Sequence, residues 1–216
     1  GVIRLEIAAV IPAYNEAKNI GRVLLPLRGC SELSQVIVVS DGSTDQTATV
    51  ARKMGAQVIE LPKNKGKGAA VMAGVAATTA EVILLLDADL IGLTAQHVKT
   101  LLEPIFTQEA MMTIGCFSGG RLATDLSQHM APKLNGQRAI RRELLVAHPE
   151  LAQSGYGFEV VMNRLAQVNR YKVVWVDLPH LSQVLKEEKL GLARGVAARM
   201  RMYWQILRAL VTVKLQ

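Results

Sequence analysis

Aromatic residues are scarce in this 216-residue sequence, and long apolar runs are missing from it. Phe, Trp and Tyr make up 4% of the chain, too few for the stacking platforms on which proteins bind single-stranded nucleic acid. We find no DNA- or RNA-binding motif and expect no nucleic-acid partner. No run reaches the roughly 18 apolar residues that a membrane-spanning helix needs. The sequence opens directly with a strand-like segment rather than a signal peptide, so we expect a cytoplasmic protein.

Cysteine is also rare, whereas positive charge is abundant. Cys30 and Cys116 lie far apart in apolar surroundings and have no metal-ligand spacing, so we expect buried free thiols in a reducing compartment. The 25 Lys and Arg residues outnumber the 18 Asp and Glu residues, which gives a formal net charge of +7. This excess favours an anionic partner such as a nucleotide, a phosphate or an acidic lipid.

The apolar pattern predicts one α/β domain over residues 1–216, because short apolar strands alternate with helical segments. Strands are predicted at 7–11, 35–39, 57–61, 81–86, 112–117 and 171–176, and helices at 16–28, 43–55, 68–77, 94–106, 157–169 and 188–213. Continuous apolar strands indicate a mostly parallel sheet that is covered on both faces. Residues 119–135, which contain two glycines and a proline, are predicted to form a mobile loop over the site.

Three polar stretches follow predicted strands: "YNE" (14–16), "SDGSTD" (40–45) and "DAD" (87–89). Ligands of such sheets bind beyond the carboxyl ends of the strands, so we expect the three stretches to meet in one site.

The "DAD" stretch favours a metal site. Alternate residues of a strand share a face, so Asp87 and Asp89 can point together, and two close acids repel unless a cation lies between them. A hard divalent ion resolves that conflict and keeps positions open for diphosphate oxygens. The alternative is that Asp89 caps the next segment and Asp87 is solvated. The position after a buried strand, facing two other acid-bearing loops, favours the metal.

The second polar stretch has two interpretations. Asp41 can accept hydrogen bonds from the N–H groups of a base, but the same letters also make a strand-to-helix turn. In that turn Ser43 or Thr44 caps the helix, and Thr44 and Asp45 are structural.

Tyr14, Glu16 and the "KNKGKG" loop are equally ambiguous. Tyr14 and Glu16 can hold a base and its ribose, or residues 15 and 16 can simply open a helix. Lys65 and Lys67 can meet a nucleotide where glycines allow close approach, or they can be solvated.

Taken together, the motifs "VIPAYNEAKNI", "IVVSDGSTDQT", "KGKGAA" and "ILLLDADL", in this order and spacing, resemble the family 2 glycosyltransferases of the GT-A fold. The resemblance covers about residues 7–120. "NGQRAI" (135–140), "GYGFEV" (155–160) and "DLPH" (177–180) are similar to dolichol-phosphate mannosyltransferases and glucosyl-3-phosphoglycerate synthases. The family resemblance implies a Rossmann-like three-layer sandwich with a mostly parallel central sheet.

The resemblance also implies a nucleotide-diphosphate sugar donor, Mg²⁺ or Mn²⁺, and roles for individual residues. The nucleoside would be held by Pro12, Tyr14, Glu16 and Asp41, with Lys67 beside it, and the metal by Asp87, Asp89 and His180. The sugar and acceptor side would be lined by Gly155, Tyr156 and Glu159. An acceptor phosphate would pair with Arg138. A lone histidine after a proline is also a common loop residue, so the role of His180 stays open.

The implied reaction moves a hexose to a phosphate-bearing or hydroxyl acceptor, either a polyprenyl phosphate or a small phosphorylated molecule. Asp89 and Glu159 are the predicted catalytic residues. Inverting family members acting on sugar acceptors often carry an acidic pair "ED" as general base, whereas this sequence reads "YGFE". Either Glu159 serves as base, or an anionic phosphate acceptor needs none. The acceptor and the stereochemistry therefore stay open.

Two other classes compete with this interpretation. A sugar-phosphate nucleotidyltransferase would carry a glycine-rich, arginine-bearing loop after its first strand, and "PAYNEAKN" is no such loop. A non-catalytic sugar-nucleotide-binding protein would not need the intact acids.

The predicted C-terminal helix, at about 188–213, is basic and amphipathic. Its arginines stand near Tyr203 and Trp204, and residues 191–216 contain no acid. The apolar stripe of such a helix packs in a core or a homodimer, or the helix lies on an anionic membrane, where a polyprenyl phosphate would be found. The membrane interpretation predicts peripheral contact at the cytoplasmic face.

Overall fold

The computed structural model describes residues 5–118 and 136–184. Its strands are β1 (Ile7–Ala13), β2 (Gln35–Asp41), β3 (Gln57–Leu61), β4 (Val82–Leu85), β5 (Leu90–Ile91), β6 (Met112–Ser118), β7 (Arg138–Arg141), β8 (Val173–Pro179) and β9 (Ser182–Gln183). Seven of them form one sheet in the order β3-β2-β1-β4-β7-β6-β8, and β5 pairs with β9 in a small ribbon. Only β7 runs antiparallel to its neighbours in the large sheet.

Helices cover both faces of this sheet. They are α1 (Ile20–Leu27), α2 (Thr47–Lys53), α3 (Lys67–Ala76), α4 (Ala95–Phe106), α5 (Arg142–Val146) and α6 (Phe158–Val168). Alternate β1 residues face opposite sides, so Ile11 packs in a cluster with α1, α2 and α4, and Val10 packs in a cluster with α3, α5 and α6. The predicted α/β three-layer sandwich is confirmed. Strands β1 and β4, in the middle of the sheet, are apolar along their length because both of their faces meet helices.

Strand β1 lies between β2 and β4 in the sheet. Strands β2 and β3 follow on one side of β1, and β4 lies on its other side, so the strand order reverses at β1. A crevice forms at such a switch point, outside the carboxyl ends of the strands, and ligands bind there in open α/β sheets. The loops that follow β1, β2 and β4 all leave at this edge, as predicted.

The six predicted strands and the helices within the described residues are confirmed to within a few residues. Strands β5, β7 and β9, helix α5 and the 3₁₀ turns at Pro149–Gln153 and Gly155–Gly157 were not predicted. The strand "RAIR" has two apolar residues between arginines, too short a run to predict a buried strand.

One predicted helix start is wrong and another is confirmed. Neither Ser43 nor Thr44 caps α2; the Asp45 carboxylate accepts the Thr47 N–H at 2.9 Å instead, in keeping with its predicted structural role. Thr94 does cap α4, since its hydroxyl accepts the His97 N–H at 3.3 Å and the His97 ring accepts the Thr94 N–H at 3.2 Å.

Cys30 and Cys116 are both free thiols, as predicted, although only Cys30 is fully buried. Burial is the main cause that raises the pKa of each thiol.

The predicted loop at 119–135 and the predicted helix at 188–213 lie outside the described residues. Among the helices that the structure does describe, none has the length and the apolar character needed to cross a membrane.

Candidate functional site

Hydrogen bonds join the loop after β1 to the loop after β2. Asn15, with a left-handed φ of 54°, accepts the Thr44 N–H on its side-chain oxygen at 2.8 Å and donates its own N–H to the Ser43 hydroxyl at 3.1 Å. The Glu16 N–H bonds the Thr47 hydroxyl at 2.8 Å. Ser43 and Thr44 are therefore used to join the loops, which explains why neither caps α2.

The residues predicted to bind the nucleoside lie on the surface that these two hydrogen-bonded loops form with the ends of β1 and β2, called the joined surface below. Pro12 is near the end of β1, and Tyr14 is 44% exposed. Glu16 is buried, and its carboxylate accepts a hydrogen bond from the Asn19 side chain at 2.7 Å.

Asp41 ends β2 and organises the "KNKGKG" loop. Its two carboxylate oxygens accept the backbone N–H groups of Lys65 at 2.8 Å and Gly66 at 2.9 Å. Gly42, with φ +68°, lies so close to this loop that a β-carbon would be 2.3 Å from the Asn64 nitrogen. The loops after β2 and β3 are thereby fixed against each other, and the observed contacts of Asp41 shape this edge.

Lys67, the first residue of α3, bridges two acids. Its ammonium lies 2.5 Å from an Asp87 oxygen and also forms an ion pair with Glu159. All three side chains are largely buried. Burial alone would lower the pKa of Lys67, but the charges of Asp87 and Glu159 outweigh that effect and raise its pKa well above the usual value. The ammonium therefore stays charged and compensates two carboxylates.

Glu159 reaches Lys67 from the first turn of α6, where the helix dipole favours a carboxylate. The segment before it packs on the glycine loop: a β-carbon on Gly66 would lie 3.0 Å from the α-carbon of Gly155. Tyr156 is 39% exposed next to this contact. The structure thus brings Gly155, Tyr156 and Glu159 together with Lys67.

The sequence did not predict the part played by Gly136 and Gln137. The buried Gln137 amide donates to the second Asp87 oxygen at 3.2 Å and accepts the Asp87 N–H at 3.4 Å. A β-carbon on Gly136 would lie 2.5 Å and 2.6 Å from the Asp87 oxygens and 2.7 Å from the Lys67 nitrogen. The only signal in the sequence was the "NGQRAI" stretch itself.

Arg138 occupies an interior position that differs from the one its predicted role requires. Its side chain is fully buried and donates to Asn163 of α6 at 2.6 Å, so in this conformation it offers no exposed donor to an acceptor phosphate. Burial lowers the pKa of Arg138 to about 10, and the nearby Glu159 and Asp87 charges act in the opposite direction. The guanidinium thus carries positive charge near the Glu159 and Asp87 carboxylates.

The acids of "DAD" lie beyond the strand rather than in it. β4 ends at Leu85, and Ala88 and Asp89 form a turn, so strand alternation does not orient Asp87 and Asp89 as predicted. The next residues form β5, which pairs with β9, and the Val184 N–H bonds the Asp89 carbonyl at 3.2 Å.

The β5–β9 ribbon brings the turn at His180 to the acid loop. His180 is exposed and has a left-handed φ of 64°. His97, which sequence reasoning missed, supports this turn by donating to the Pro179 carbonyl at 2.9 Å. Gly92 packs directly on it, since a β-carbon there would lie 2.7 Å from the His180 oxygen.

The donors suit a metal that is shared with a phosphate ligand. Asp87, Asp89 and His180 are all described, yet no three His, Cys, Asp or Glu residues of the described chain form a group able to hold a metal by themselves. Mg²⁺ is commonly held by one or two carboxylates, with phosphate oxygens and water completing its shell. Asp87 and Asp89, both partly exposed after β4, could supply such carboxylate oxygens.

Comparisons with known proteins agree with the fold. The model of the family described as Glycosyl transferase family 2 matches residues 8–163. The glucosyl-3-phosphoglycerate synthase of Mycolicibacterium smegmatis is 32% identical, over 71% of this chain and 61% of the relative. The dolichyl-phosphate hexose transferase of Haloferax volcanii is 30% identical, over 89% of this chain and 90% of the relative. The chain thus spans about three-fifths of the length of the mycobacterial relative.

A solved structure shares the architecture. It is the glucosyl-3-phosphoglycerate synthase of Mycobacterium tuberculosis in complex with Mn²⁺, uridine diphosphate and glucosyl-3-phosphoglycerate, with a TM-score of 0.74 and 25% identity. The match covers 96% of this chain and 79% of that one.

Proposed function

Since this chain belongs to glycosyl transferase family 2, we propose that it is a metal-dependent hexosyltransferase that uses a nucleotide-diphosphate sugar. The acceptor carries a phosphate or a hydroxyl group. The similar M. tuberculosis structure is described with uridine diphosphate and Mn²⁺, which favours a uridine nucleotide and Mn²⁺ or Mg²⁺ here.

The observation that carries this proposal is the ion-paired cluster of Asp87, Lys67 and Glu159 at the carboxyl edge of the sheet. It lies next to the loop that Asp41 organises. A diphosphate is neutralised by cationic side chains or by a metal that carboxylates hold, and groups of both kinds meet at this edge of the sheet.

In this proposal the joined surface of Pro12, Tyr14, Glu16 and Asp41 binds the nucleoside. Asp89, assisted by Asp87 and with His180 on the adjacent turn, would hold the metal on the diphosphate. When bound, the ion supplies Lewis-acid stabilisation of the leaving diphosphate.

The chemical step is a displacement at the anomeric carbon. A new bond forms between that carbon and an acceptor oxygen, and its bond to the diphosphate oxygen breaks, with the electron pair leaving on the nucleotide. For a hydroxyl acceptor, the Glu159 carboxylate takes the proton. For a phosphate acceptor the attacking oxygen is already anionic, and Glu159 then serves as a contact for the sugar.

Two acceptor classes have support from different relatives. Glucosyl-3-phosphoglycerate in the M. tuberculosis complex favours a small phosphorylated acceptor. The H. volcanii relative, matched over nearly its full length, is named for a dolichyl-phosphate acceptor. We propose the lipid acceptor as the second candidate, with the acid-free basic segment at 191–216 in contact with an anionic membrane.

A thermal-shift panel tests the proposed function. The purified chain is melted with UDP, GDP or ADP, each with and without Mn²⁺, because a ligand that binds only the native state raises the melting temperature. We expect UDP with Mn²⁺ to give the largest rise. Failure of every nucleotide to shift the melting temperature in the presence of Mn²⁺ would contradict the proposal.

Cosedimentation with phosphatidylglycerol vesicles separates the two acceptor classes. The intact chain should pellet at low salt and return to the supernatant at high salt, while a chain ending at Gly191 should not pellet. If the intact chain stays in the supernatant, a soluble acceptor is favoured, and the segment then belongs to the core or a homodimer.

A further inference from the structure

We propose that Gln137 is a positioning residue that fixes the carboxylate of Asp87 for catalysis. This inference rests on the proposed function and adds to it a residue to which the sequence assigned no role. It depends on geometry at the start of β7.

Gln137 holds Asp87 at two points. Its amide N–H donates to one carboxylate oxygen of Asp87 at 3.2 Å, and its amide oxygen accepts the Asp87 backbone N–H at 3.4 Å. One contact orients the carboxylate, and the other anchors the backbone of the residue that carries it. Gln137 is completely buried, so water does not compete for these groups.

The two hydrogen bonds between Gln137 and Asp87, called the clamp below, complement the ion pair between Asp87 and Lys67. Lys67 binds one Asp87 oxygen and Gln137 binds the other, so the plane of the carboxylate is set from two sides. Gly136 leaves the space in which these groups meet. Asp87 follows a strand that ends at Leu85, and the sheet alone therefore does not orient its side chain.

A neutral amide suits this position better than a second cation or an acid. A cation would add charge where Lys67 and Arg138 already supply it, and a carboxylate would repel Asp87. An amide both donates and accepts, which matches the carboxylate oxygen and the N–H that Asp87 presents.

The test is Gln137→Met, which keeps nearly the same volume but removes both hydrogen-bonding groups. We expect kcat to fall about tenfold, the scale of a lost hydrogen bond to a charged group, with a smaller change in the KM for the donor. Thr113→Val is the control, because Thr113 is buried on the adjacent strand and its hydroxyl has no hydrogen-bond partner within the described residues. The control should retain wild-type kcat.

A double-mutant cycle with Asp87→Ala gives a readout that needs no activity. Gln137→Met should change the unfolding equilibrium constant about tenfold less when Asp87 is already alanine. Absence of this coupling would overturn the clamp. Coupling together with unchanged kcat would show a structural contact and overturn the positioning role.

Two further outcomes are distinguishable. If the wild-type chain binds no nucleotide with Mn²⁺ and transfers no sugar, the proposed function fails and takes the positioning role with it, while the unfolding cycle still measures the clamp. If Gln137→Met does not fold, Gln137→Asn retains the amide on a shorter side chain. An Asn variant with wild-type kcat and no coupling to Asp87 would overturn the proposal.

Discussion

Lys67 and Glu159 form an ion pair that joins the first residue of α3 to the first turn of α6. The pair connects the "KGKG" stretch to the "GYGFEV" stretch, which are far apart in the sequence. Because Lys67 also binds Asp87, one ammonium links three segments of the chain. The cluster is therefore both a candidate site and a tertiary contact.

Replacing Lys67 should destabilise the protein. Lys67→Met leaves two largely buried carboxylates without their cation, which should cost about 3 kcal/mol in the free energy of unfolding. The control is Arg52→Met in the Arg52–Glu60 pair, whose side chains are 53% and 54% exposed, and its cost should stay below about 1 kcal/mol. Chemical denaturation measures both, and equal losses would contradict the buried-cluster assignment.

The pKa of Lys67 predicts how the contribution of Lys67 to the free energy of unfolding depends on pH. The folded pKa is raised above the ordinary value of 10.5, so the stabilisation is fully present below pH 10.5 and is lost as pH rises through the folded pKa. The Lys67 contribution should thus be constant at neutral pH and decline only in strong alkali. Denaturation of the wild type and Lys67→Met at a series of pH values checks this; a Lys67 contribution that declines on going from pH 7 to pH 9 would contradict it.

Gly136→Ala should disrupt the site through steric overlap. The added methyl group would lie within 2.7 Å of the Lys67 nitrogen and closer still to both Asp87 oxygens, so the ion pair has to move. We expect at least a tenfold loss of turnover, roughly the effect of a small displacement of catalytic groups. Gly29→Ala, where a β-carbon meets no atom within 4 Å, is the matched control. Wild-type turnover in Gly136→Ala would show that the cluster is not needed.

Asp89→Ala should abolish the metal dependence of nucleotide binding. Removing the carboxylate leaves the metal with too few protein oxygens, so the affinity for UDP should become the same with and without Mn²⁺. Calorimetric titration measures both affinities, and the melting temperature of the free variant checks the fold. Glu103→Ala, on the exposed side of α4, is the control. Persistent Mn²⁺-dependent tightening in Asp89→Ala would rule out this residue as a metal ligand.

Glu159→Gln should lower kcat at least tenfold while the affinity for nucleotide changes by less than about twofold. The reason is that Glu159 lies on the sugar and acceptor side of the proposed site. Glu143→Gln, an exposed glutamate of α5, should retain full activity. Steady-state kinetics and a UDP titration measure the two quantities. Full turnover in Glu159→Gln would make the residue structural.

The sequence by itself determined the layered architecture and the edge at which the site forms. Buried strands such as "ILLL" and helical stripes such as that of α1 carry a local periodicity, and parallel strands place their following loops at one edge. Thr94 likewise marked the start of α4 through a local capping contact. These features follow from neighbouring residues alone.

Only the tertiary structure decided which polar groups meet. β7 was hidden because its arginines interrupt any apolar pattern, and the antiparallel placement of this strand brings Gly136 and Gln137 to Asp87. Asp41 shows the same limit, since its letters fitted both a base contact and a turn, and only the fold shows that its oxygens bind the N–H groups of Lys65 and Gly66. Contacts between distant segments depend on the register of the strands and the packing of the helices, and local periodicity does not specify either.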